Sequence, residues 1–282
     1  NNANGTGLLD KLTVEHKVLG AMAINESMNE AGILGLLVFP KMILQTCAAA
    51  EKLVWKQINR VKEGDFSDEM FQSLKLERAR EYMTKLEDIN SRAEAMMRVF
   101  SQGRSWRAYL DEVVRIESLT KEEVVEVARR YFTENYLYVT KKTGRYPKTL
   151  LPKPPYAPVV PKNADVSSAY VRKLEKMPVQ VTPPHFLDFG KDAEVVPLRP
   201  LVTLYKVHNP VNEVFSLVLS YGIGELEARE LEKLSAYLPL IATESMTFDV
   251  FRGRLQALGS VLTFESTDAE FRVIVNGFDA RL

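Results

Sequence analysis

The stretch that decides the fold is residues 20–39, GAMAINESMNEAGILGLLVF, which holds two apolar runs separated by a polar turn. Runs of this kind, at about 20–28 and 32–39, are typical of β-strands, and Asn29-Glu30-Ala31 between them is typical of a turn. The second run continues to Pro40 and is far too short to cross a bilayer as a helix. It therefore predicts a buried strand.

Helical patterns flank these two predicted strands. Residues near 5–19 carry leucines and valines on one side of a helix, and apolar side chains recur at helical spacing over 45–63. Gly64 is well placed to end the second helix, because glycine readily adopts the left-handed conformation found after helix C-termini. The alternation of helix and strand indicates an α/β rhythm.

Further helices and one more strand complete this part of the chain. A long helical region is expected over about 67–102, and a shorter helix over about 105–118. The next helix begins at Thr120, which can form a T-x-x-E capping box with Glu123. Residues 136–140, YLYVT, predict a strand. Together these elements predict an α+β unit, an antiparallel-rich sheet covered by helices.

Proline content separates this first unit, residues 1–145, from the next segment of the chain. Eleven of the 14 prolines lie between Pro147 and Pro200. Because proline lacks the backbone donor and fixes φ, the segment 146–197 is not a regular helix or central strand throughout. We expect an extended connector, interrupted by a short helix near 165–176.

A second α+β unit is predicted for residues 198–282. Its elements follow the order ββααββ, and the first two strands are expected to pair. Gly222 and Gly224 break the second strand, and Gly259 ends the second helix. The expected ranges are strands at 201–207 and 214–220, helices at 225–242 and 247–258, and strands at 261–266 and 271–276. Because so few elements leave a sheet edge open, we expect the unit to be incomplete.

Composition and charge exclude several classes of function. The chain has 282 residues, 46% of them apolar, and its 37 basic and 37 acidic residues cancel. Neither sign forms a long run, which argues against binding nucleic acid or a membrane surface through charge. We expect no membrane insertion, and Asn1–Leu9 lacks the pattern of a secretory signal. The single Cys47 is expected to be a small buried residue rather than a nucleophile.

The three histidines, His16, His185 and His208, are too far apart in the sequence to form a local metal site. Catalytic zinc needs three protein ligands, normally with a glutamate beside them as base. Glu15 and His16 match the end of an HxxEH pattern, but Leu12 stands where its first histidine belongs. We therefore predict no catalytic, metal-binding or cofactor-binding residue in this chain. A metal site assembled from distant parts of the chain is the alternative.

Four stretches carry a resemblance to a known family. Asn209–Leu217 reads NPVNEVFSL, Tyr221–Gly224 reads YGIG, Lys62–Glu69 reads KEGDFSDE and Thr120–Val125 reads TKEEVV. In their order the chain resembles the pitrilysin/insulinase-like zinc metallopeptidases over almost its full length, above all the long single-chain bacterial members. None of the four stretches is a catalytic signature, so the resemblance rests on order and general pattern.

The resemblance implies four homologous α/β domains, grouped in two halves that close around a peptide. In that family the first domain binds zinc through HxxEH and a distant glutamate. Residues 1–145 would be most of the second domain, lacking its first strand, 146–197 the connector between the halves, and 198–282 the front of the third domain. Zinc is therefore expected in the parent protein and bound outside these residues, with no cofactor in this chain.

The third domain of the family is built like the catalytic one, which allows a check on individual residues. By the resemblance, Ala236, Pro239 and Leu240 occupy the positions of the two histidines and the glutamate. None of these side chains binds zinc or transfers a proton. This unit is therefore expected to be an inactive copy.

The function that the resemblance implies is that of a zinc-dependent endopeptidase that encloses peptides, with this chain as chamber wall and hinge. Peptide substrates are the expected partners, together with self-association through open sheet edges. The alternative is a scaffold or partner subunit of the same fold without peptidase activity, and a third option is an unrelated α+β binding module. The compartment is left open, and the bacterial cell envelope is the expectation from the family.

Overall fold

The computed structural model of the chain describes residues 1–142, 144–145, 152, 155, 159–179, 181–184 and 186–282. Its fold is α+β, with helices and small antiparallel sheets, as the sequence predicts. The chain divides into two compact units. The larger consists of Asn1–Val139 with Asn209–Leu282, and the smaller is Thr140–His208.

The helices are α1 (Leu8–Val14), α2 (Cys47–Glu63), α3 (Asp68–Lys85), α4 (Ile89–Ser101), α5 (Trp106–Leu110), α6 (Glu112–Ser118), α7 (Lys121–Tyr131), α8 (Ala169–Glu175), α9 (Glu230–Tyr237) and α10 (Phe248–Ala257). The strands are β1 (Gly20–Ser27), β2 (Gly32–Phe39), β3 (Glu194–Arg199), β4 (Val202–Lys206), β5 (Val214–Tyr221), β6 (Val261–Ser266) and β7 (Phe271–Phe278). Short 3₁₀ turns follow α9 at Leu238–Leu240 and β7 at Asp279–Arg281.

The hairpin of β1 and β2 forms one wall of the apolar core of the larger unit. The strands are antiparallel, with Gly20 opposite Phe39 and Ser27 opposite Gly32. Helix α1 lies against β1 and α2 against β2. Burial of apolar area between these elements is the main force that holds them together. The core consists of Leu9, Leu12, Val18, Ala21, Ala50, Val54 and Ile58.

The outer face of β2 is exposed, which corrects the prediction of a buried strand. Leu36 and Val38 pack against the core. Ile33, Leu37 and Phe39 lie on the opposite face and remain 58%, 44% and 50% exposed. Successive side chains of a strand point to opposite faces, and α1 and α2 cover only one of them. Leu34 is also 48% exposed, so Leu36 and Val38 are the apolar side chains of β2 that pack against the core.

Two helices occupy the long helical region expected over 67–102. The break between α3 and α4 lies at Leu86–Asp88. Asp88 begins α4 by accepting a hydrogen bond from the backbone N–H of Ser91, at 2.7 Å. Such a cap satisfies a donor that has no partner within the helix. The region expected as one helix over 105–118 likewise forms α5 and α6, which meet at Asp111.

Two predicted helix boundaries are confirmed. Gly64 ends α2 in the left-handed conformation, with a φ of 73°. At the start of α7 the Thr120 hydroxyl accepts from the Glu123 N–H at 3.2 Å, and the Glu123 carboxylate accepts from the Thr120 N–H at 2.7 Å. The latter hydrogen bond holds the pKa of Glu123 below its ordinary value, because it favours the charged form.

Residues 136–140 form no strand, so this prediction is wrong. Tyr136 is held by its side chain instead of by a strand ladder. Its ring centroid lies 5.2 Å from that of Trp55, and its hydroxyl donates a hydrogen bond to the Glu51 carboxylate. Within the described part of the chain β1 and β2 bond only each other, so the segment has no ladder to extend.

The C-terminal part of the larger unit is an antiparallel sheet of order β5-β7-β6. The predicted pairing of 201–207 with 214–220 is wrong, because β5 pairs with β7 and β4 pairs with β3. The turn from β3 to β4 is tight, with Leu201 at a φ of 65°. Closing so short a loop costs little chain entropy, which favours the local pairing.

The other elements predicted for 209–282 are confirmed, the helices with shorter bounds. Helix α9 and its 3₁₀ turn occupy 230–240, and α10 occupies 248–257. The two last predicted strands, β6 and β7, pair as an antiparallel hairpin, and Gly259 follows α10 with a φ of 67°. Since β5 and β6 are the outer strands, each presents one unpaired edge within this sheet.

The smaller unit contains α8 and the β3–β4 hairpin. Helix α8 confirms the short helix expected near 165–176 and begins with the Ser168 hydroxyl accepting from the Val171 N–H at 3.1 Å. Strand β3 carries Pro197 where the register shifts, a position that tolerates the missing backbone donor. The predicted connector therefore ends in a strand.

Candidate functional site

The two described histidines, His16 and His208, belong to no metal-binding cluster of three or more ligands among the described residues. His16 follows α1 in an exposed turn with a φ of 53°, so the helix expected over 5–19 ends at Val14. His208 is exposed, and His185 lies outside the described residues. Among the residues that the structure describes, no group of three or more His, Cys, Asp or Glu side chains is placed to hold a metal ion.

The segment that resembles an HxxEH helix changes conformation at the relevant positions. Ala236 lies in the last turn of α9, which ends at Tyr237, whereas Pro239 and Leu240 belong to the following 3₁₀ turn. The Arg252 guanidinium donates a hydrogen bond to the Pro239 carbonyl. The three positions that resemble the motif therefore do not share one regular α-helix.

Cys47 is the first residue of α2, directly after the cap Thr46. It is half-buried and carries a free thiol. The Thr46 hydroxyl accepts from the Ala49 N–H at 3.1 Å, which satisfies one of the backbone donors at this helix start. Cys47 therefore lies in the environment of a helix N-terminus.

One concave surface of the larger unit is a groove between α1 and α2, with a volume of about 720 Å³. Helix α2 contributes residues spaced at i, i+3, i+4 and i+8, which lie on one helical face. These are Lys52, Trp55, Lys56 and Arg60. Helix α1 and the turn after it contribute Lys11, Leu12, Glu15 and Lys17. We call this surface the basic groove.

Ion pairs neutralise only part of the charge in the basic groove. Lys17 pairs with Glu15, and Arg60 pairs with Asp65, both at 2.6 Å. The hydrogen bond from Lys17 holds the pKa of Glu15 below its ordinary value. Five basic residues against three acidic ones, Glu15, Glu63 and Asp65, leave an excess of two positive charges.

The remaining lysines are the ones that are free to meet a ligand. Lys11, Lys52 and Lys56 are exposed and form no ion pair with any described residue. An ammonium group has three donors on a flexible stem, so each of these side chains can follow a carboxylate over several positions. The groove is therefore suited to an extended acidic ligand.

Trp55 supplies an apolar surface beside these lysines. The indole is half-buried and is braced by the ring of Tyr136, at 5.2 Å between centroids. Leu12 also lines the groove and is 2% exposed. Large aromatic side chains with one free face contribute much of the binding energy in peptide and protein interfaces. The arrangement places an apolar surface beside cations, which suits the binding of a ligand.

Sequence reasoning missed the basic groove, although a signal was present. The spacing Lys52-x-x-Trp55-Lys56-x-x-x-Arg60 places an aromatic and three cations on one face of a predicted helix. What the sequence does not contain is the position of α1, which forms the opposite side of the groove.

Comparison with known proteins finds no match for this chain. The chain matches no protein-family model, and neither the curated proteins nor the solved structures yield a match. Within the described ranges, each helix is too short or too polar to traverse a lipid bilayer.

Proposed function

We propose that this chain is a non-catalytic segment of a zinc-dependent endopeptidase that encloses peptides between two halves. It forms chamber wall and hinge, and its partners are peptide substrates. The resemblance carried by Asn209–Leu217 and by the order of the other motifs supports this proposal. An α+β architecture of antiparallel strands and covering helices is compatible with it.

The observation that carries the proposal is the basic groove. Within it, Trp55 provides an apolar contact next to three lysines without ion-pair partners in the described structure. A wall that holds unfolded peptides needs contacts of this general kind, because extended peptides present both backbone and side chains along one line. The expected substrates are therefore rich in Asp and Glu.

The zinc that the resemblance implies has no fitting ligand set in the described part of the chain. Among the described residues neither His16 nor His208 belongs to a group of three or more potential ligands, and Ala236, Pro239 and Leu240 offer no donor atoms in their side chains. We assign the metal to another part of the parent protein and derive no catalytic step in this chain.

The test measures binding of an unstructured, fluorescein-labelled peptide rich in Asp and Glu by fluorescence anisotropy. The double variant Lys52→Glu/Lys56→Glu is expected to bind about 10-fold more weakly, or about 1.4 kcal/mol, because two attractive charges become repulsive. The matched control is Lys85→Glu/Lys233→Glu, which reverses two exposed helix lysines outside the groove. Equal weakening in both double variants contradicts the assignment of the groove.

A second measurement addresses the peptidase part of the proposal. The purified chain is expected to leave an unfolded peptide intact in the presence of zinc, because the catalytic ligands belong elsewhere. Cleavage that a chelator abolishes would overturn the non-catalytic assignment.

The second candidate function is a scaffold or partner subunit of the same fold. It is favoured by the exposed outer face of the β1–β2 hairpin and by the open edges of β5 and β6, which suit self-association. Sedimentation of the chain at increasing concentration distinguishes the candidates. A stable dimer of the unchanged chain that does not bind the acidic peptide favours the scaffold.

A further inference from the structure

A second concave site lies inside the helical layer of the larger unit. It has a volume of about 400 Å³ and is formed by α1, α2, α3, α6, α7 and the inner face of the β1–β2 hairpin. Its lining is apolar apart from Asn1, Gly7, Gln57, Lys75 and Arg78. Its volume is within the range of about 300–1,000 Å³ that is usual for small-molecule sites. We call it the apolar pocket.

Few hydrogen-bonding groups in the apolar pocket are free. The Asn1 side chain donates to the Ala21 carbonyl and accepts from the Ala23 N–H, both at 2.9 Å. The Gln57 side-chain oxygen accepts from Arg60 at 3.3 Å. A peptide or sugar would bury polar groups here without partners, at a cost of about 1–3 kcal/mol for each group. An alkyl chain has no such groups.

The two charged residues that line the apolar pocket are both cations. Lys75 and Arg78 lie three residues apart on α3 and therefore on the same side of the helix. Among the described residues, no Asp or Glu lines the pocket. The charge pattern thus favours an anion at this side of the site.

Both cations keep donors for a ligand. The Lys75 ammonium donates one hydrogen bond to the Leu119 carbonyl at 3.0 Å and lies 5.4 Å from the centre of the Phe71 ring. Arg78 pairs with Glu81 at 2.8 Å through one nitrogen. An ammonium carries three N–H donors and a guanidinium five, so further donors of each are available to an anionic head group.

We propose that the apolar pocket binds a single-chain anionic amphiphile, namely a long-chain carboxylate. The alkyl chain lies against Phe71, Leu74 and Val124, and the carboxylate meets Lys75 and Arg78. This assignment stands independently of the proposed peptidase role, because it concerns a different surface of the same unit.

The test uses dodecanoate, below its micelle concentration, with the full chain in a calorimeter. We expect saturable binding of one equivalent. Lys75→Met is expected to weaken binding about 10-fold, the scale of one lost charge-assisted hydrogen bond. The matched control Lys85→Met, on the same helix but outside the pocket, is expected to bind normally.

Two further measurements make the proposal falsifiable. Leu74→Trp fills the apolar pocket and is expected to abolish binding, and full binding by this variant would overturn the site. If its circular dichroism spectrum shows that it is unfolded, Lys75→Met decides alone. Dodecylammonium has the same chain with the opposite charge, and binding as tight as that of dodecanoate would overturn the proposal. Uptake of many equivalents would do the same.

Discussion

The most unusual single residues are buried polar side chains where α3 meets α10 and the N-terminal segment. Glu77 on α3 and Gln256 on α10 are only 4% and 5% exposed. The Ala3 N–H donates to the Glu77 carboxylate at 2.8 Å. Burial raises the pKa of Glu77, and the Ala3 hydrogen bond lowers it in part. These residues hold the first residues of the chain against the helices.

The buried carboxylate predicts a pH dependence of stability. Because the pKa of Glu77 is raised in the folded state, the folded protein binds this proton more tightly than the unfolded chain. The contribution of this proton to the free energy of unfolding is largest below pH about 4.3, the pKa of an unperturbed glutamate. It is lost as pH rises through the raised pKa of Glu77. Glu77→Gln keeps the acceptor for the Ala3 N–H and is expected to remove this component.

Urea unfolding of Glu77→Gln over a pH series is the measurement. As pH rises, the free energy of unfolding of the variant is expected to increase relative to that of the unchanged protein, by about 1 kcal/mol. The control is Glu69→Gln, at an exposed position of the same helix. If the free energy of unfolding depends on pH in the same way for the Glu77 variant and the unchanged protein, folding does not raise the pKa of Glu77.

At the scale of single elements, helix ends are set by a few local residues. Ser67 and Thr120 begin α3 and α7 by accepting hydrogen bonds from backbone N–H groups, and Gly64 ends α2. A side chain added at Gly64 would lie 3.6 Å from Val125, an ordinary contact. The requirement for glycine there is therefore one of backbone conformation rather than of space.

A pair of glycine substitutions tests this requirement. Gly64→Ala is expected to destabilise the protein by about 1–2 kcal/mol, because alanine is strained at a φ of 73°. The matched control is Gly253→Ala in the interior of α10, where an added side chain meets no atom within 4 Å. It is expected to stabilise by about 0.5–1 kcal/mol. Chemical denaturation of both variants is the measurement, and equal effects would show that the backbone conformation at Gly64 is not decisive.

At the scale of the whole molecule, two distant parts of the sequence form the larger unit. Helix α3 contacts α10 and β5. The Asn212 side chain donates to the Glu87 carboxylate at 2.8 Å, and the Asn4 side chain donates to the Ser260 carbonyl at 3.0 Å. Residues 209–282 are thus stabilised by the N-terminal helices as well as by their own sheet.

Limited proteolysis tests this arrangement. Trypsin is expected to cut first in the smaller unit, where Lys162, Arg172, Lys173 and Lys176 are exposed. The N-terminal and C-terminal fragments are expected to co-elute in gel filtration and to separate only in urea, because both belong to the larger unit. Elution of an N-terminal fragment alone under native conditions, or early cuts within α3, would contradict the arrangement.

The sequence by itself determined the local features of this protein. The β1–β2 and β6–β7 hairpins, the capping box at Thr120 and the glycine after α2 depend on residues that are close along the chain, and their geometry follows from short-range sterics and hydrogen bonds. The α+β class follows from the same periodicities.

Only the tertiary structure decided which surfaces meet. The partner of β5, the burial of Glu77, the exposure of the outer face of β2 and both concave sites depend on contacts between residues far apart in the sequence. An apolar run such as GILGLLVF predicts a strand, but the number of layers that cover it depends on the packing of other elements. The groove and the pocket are spaces between such elements, so no single stretch of sequence encodes either one.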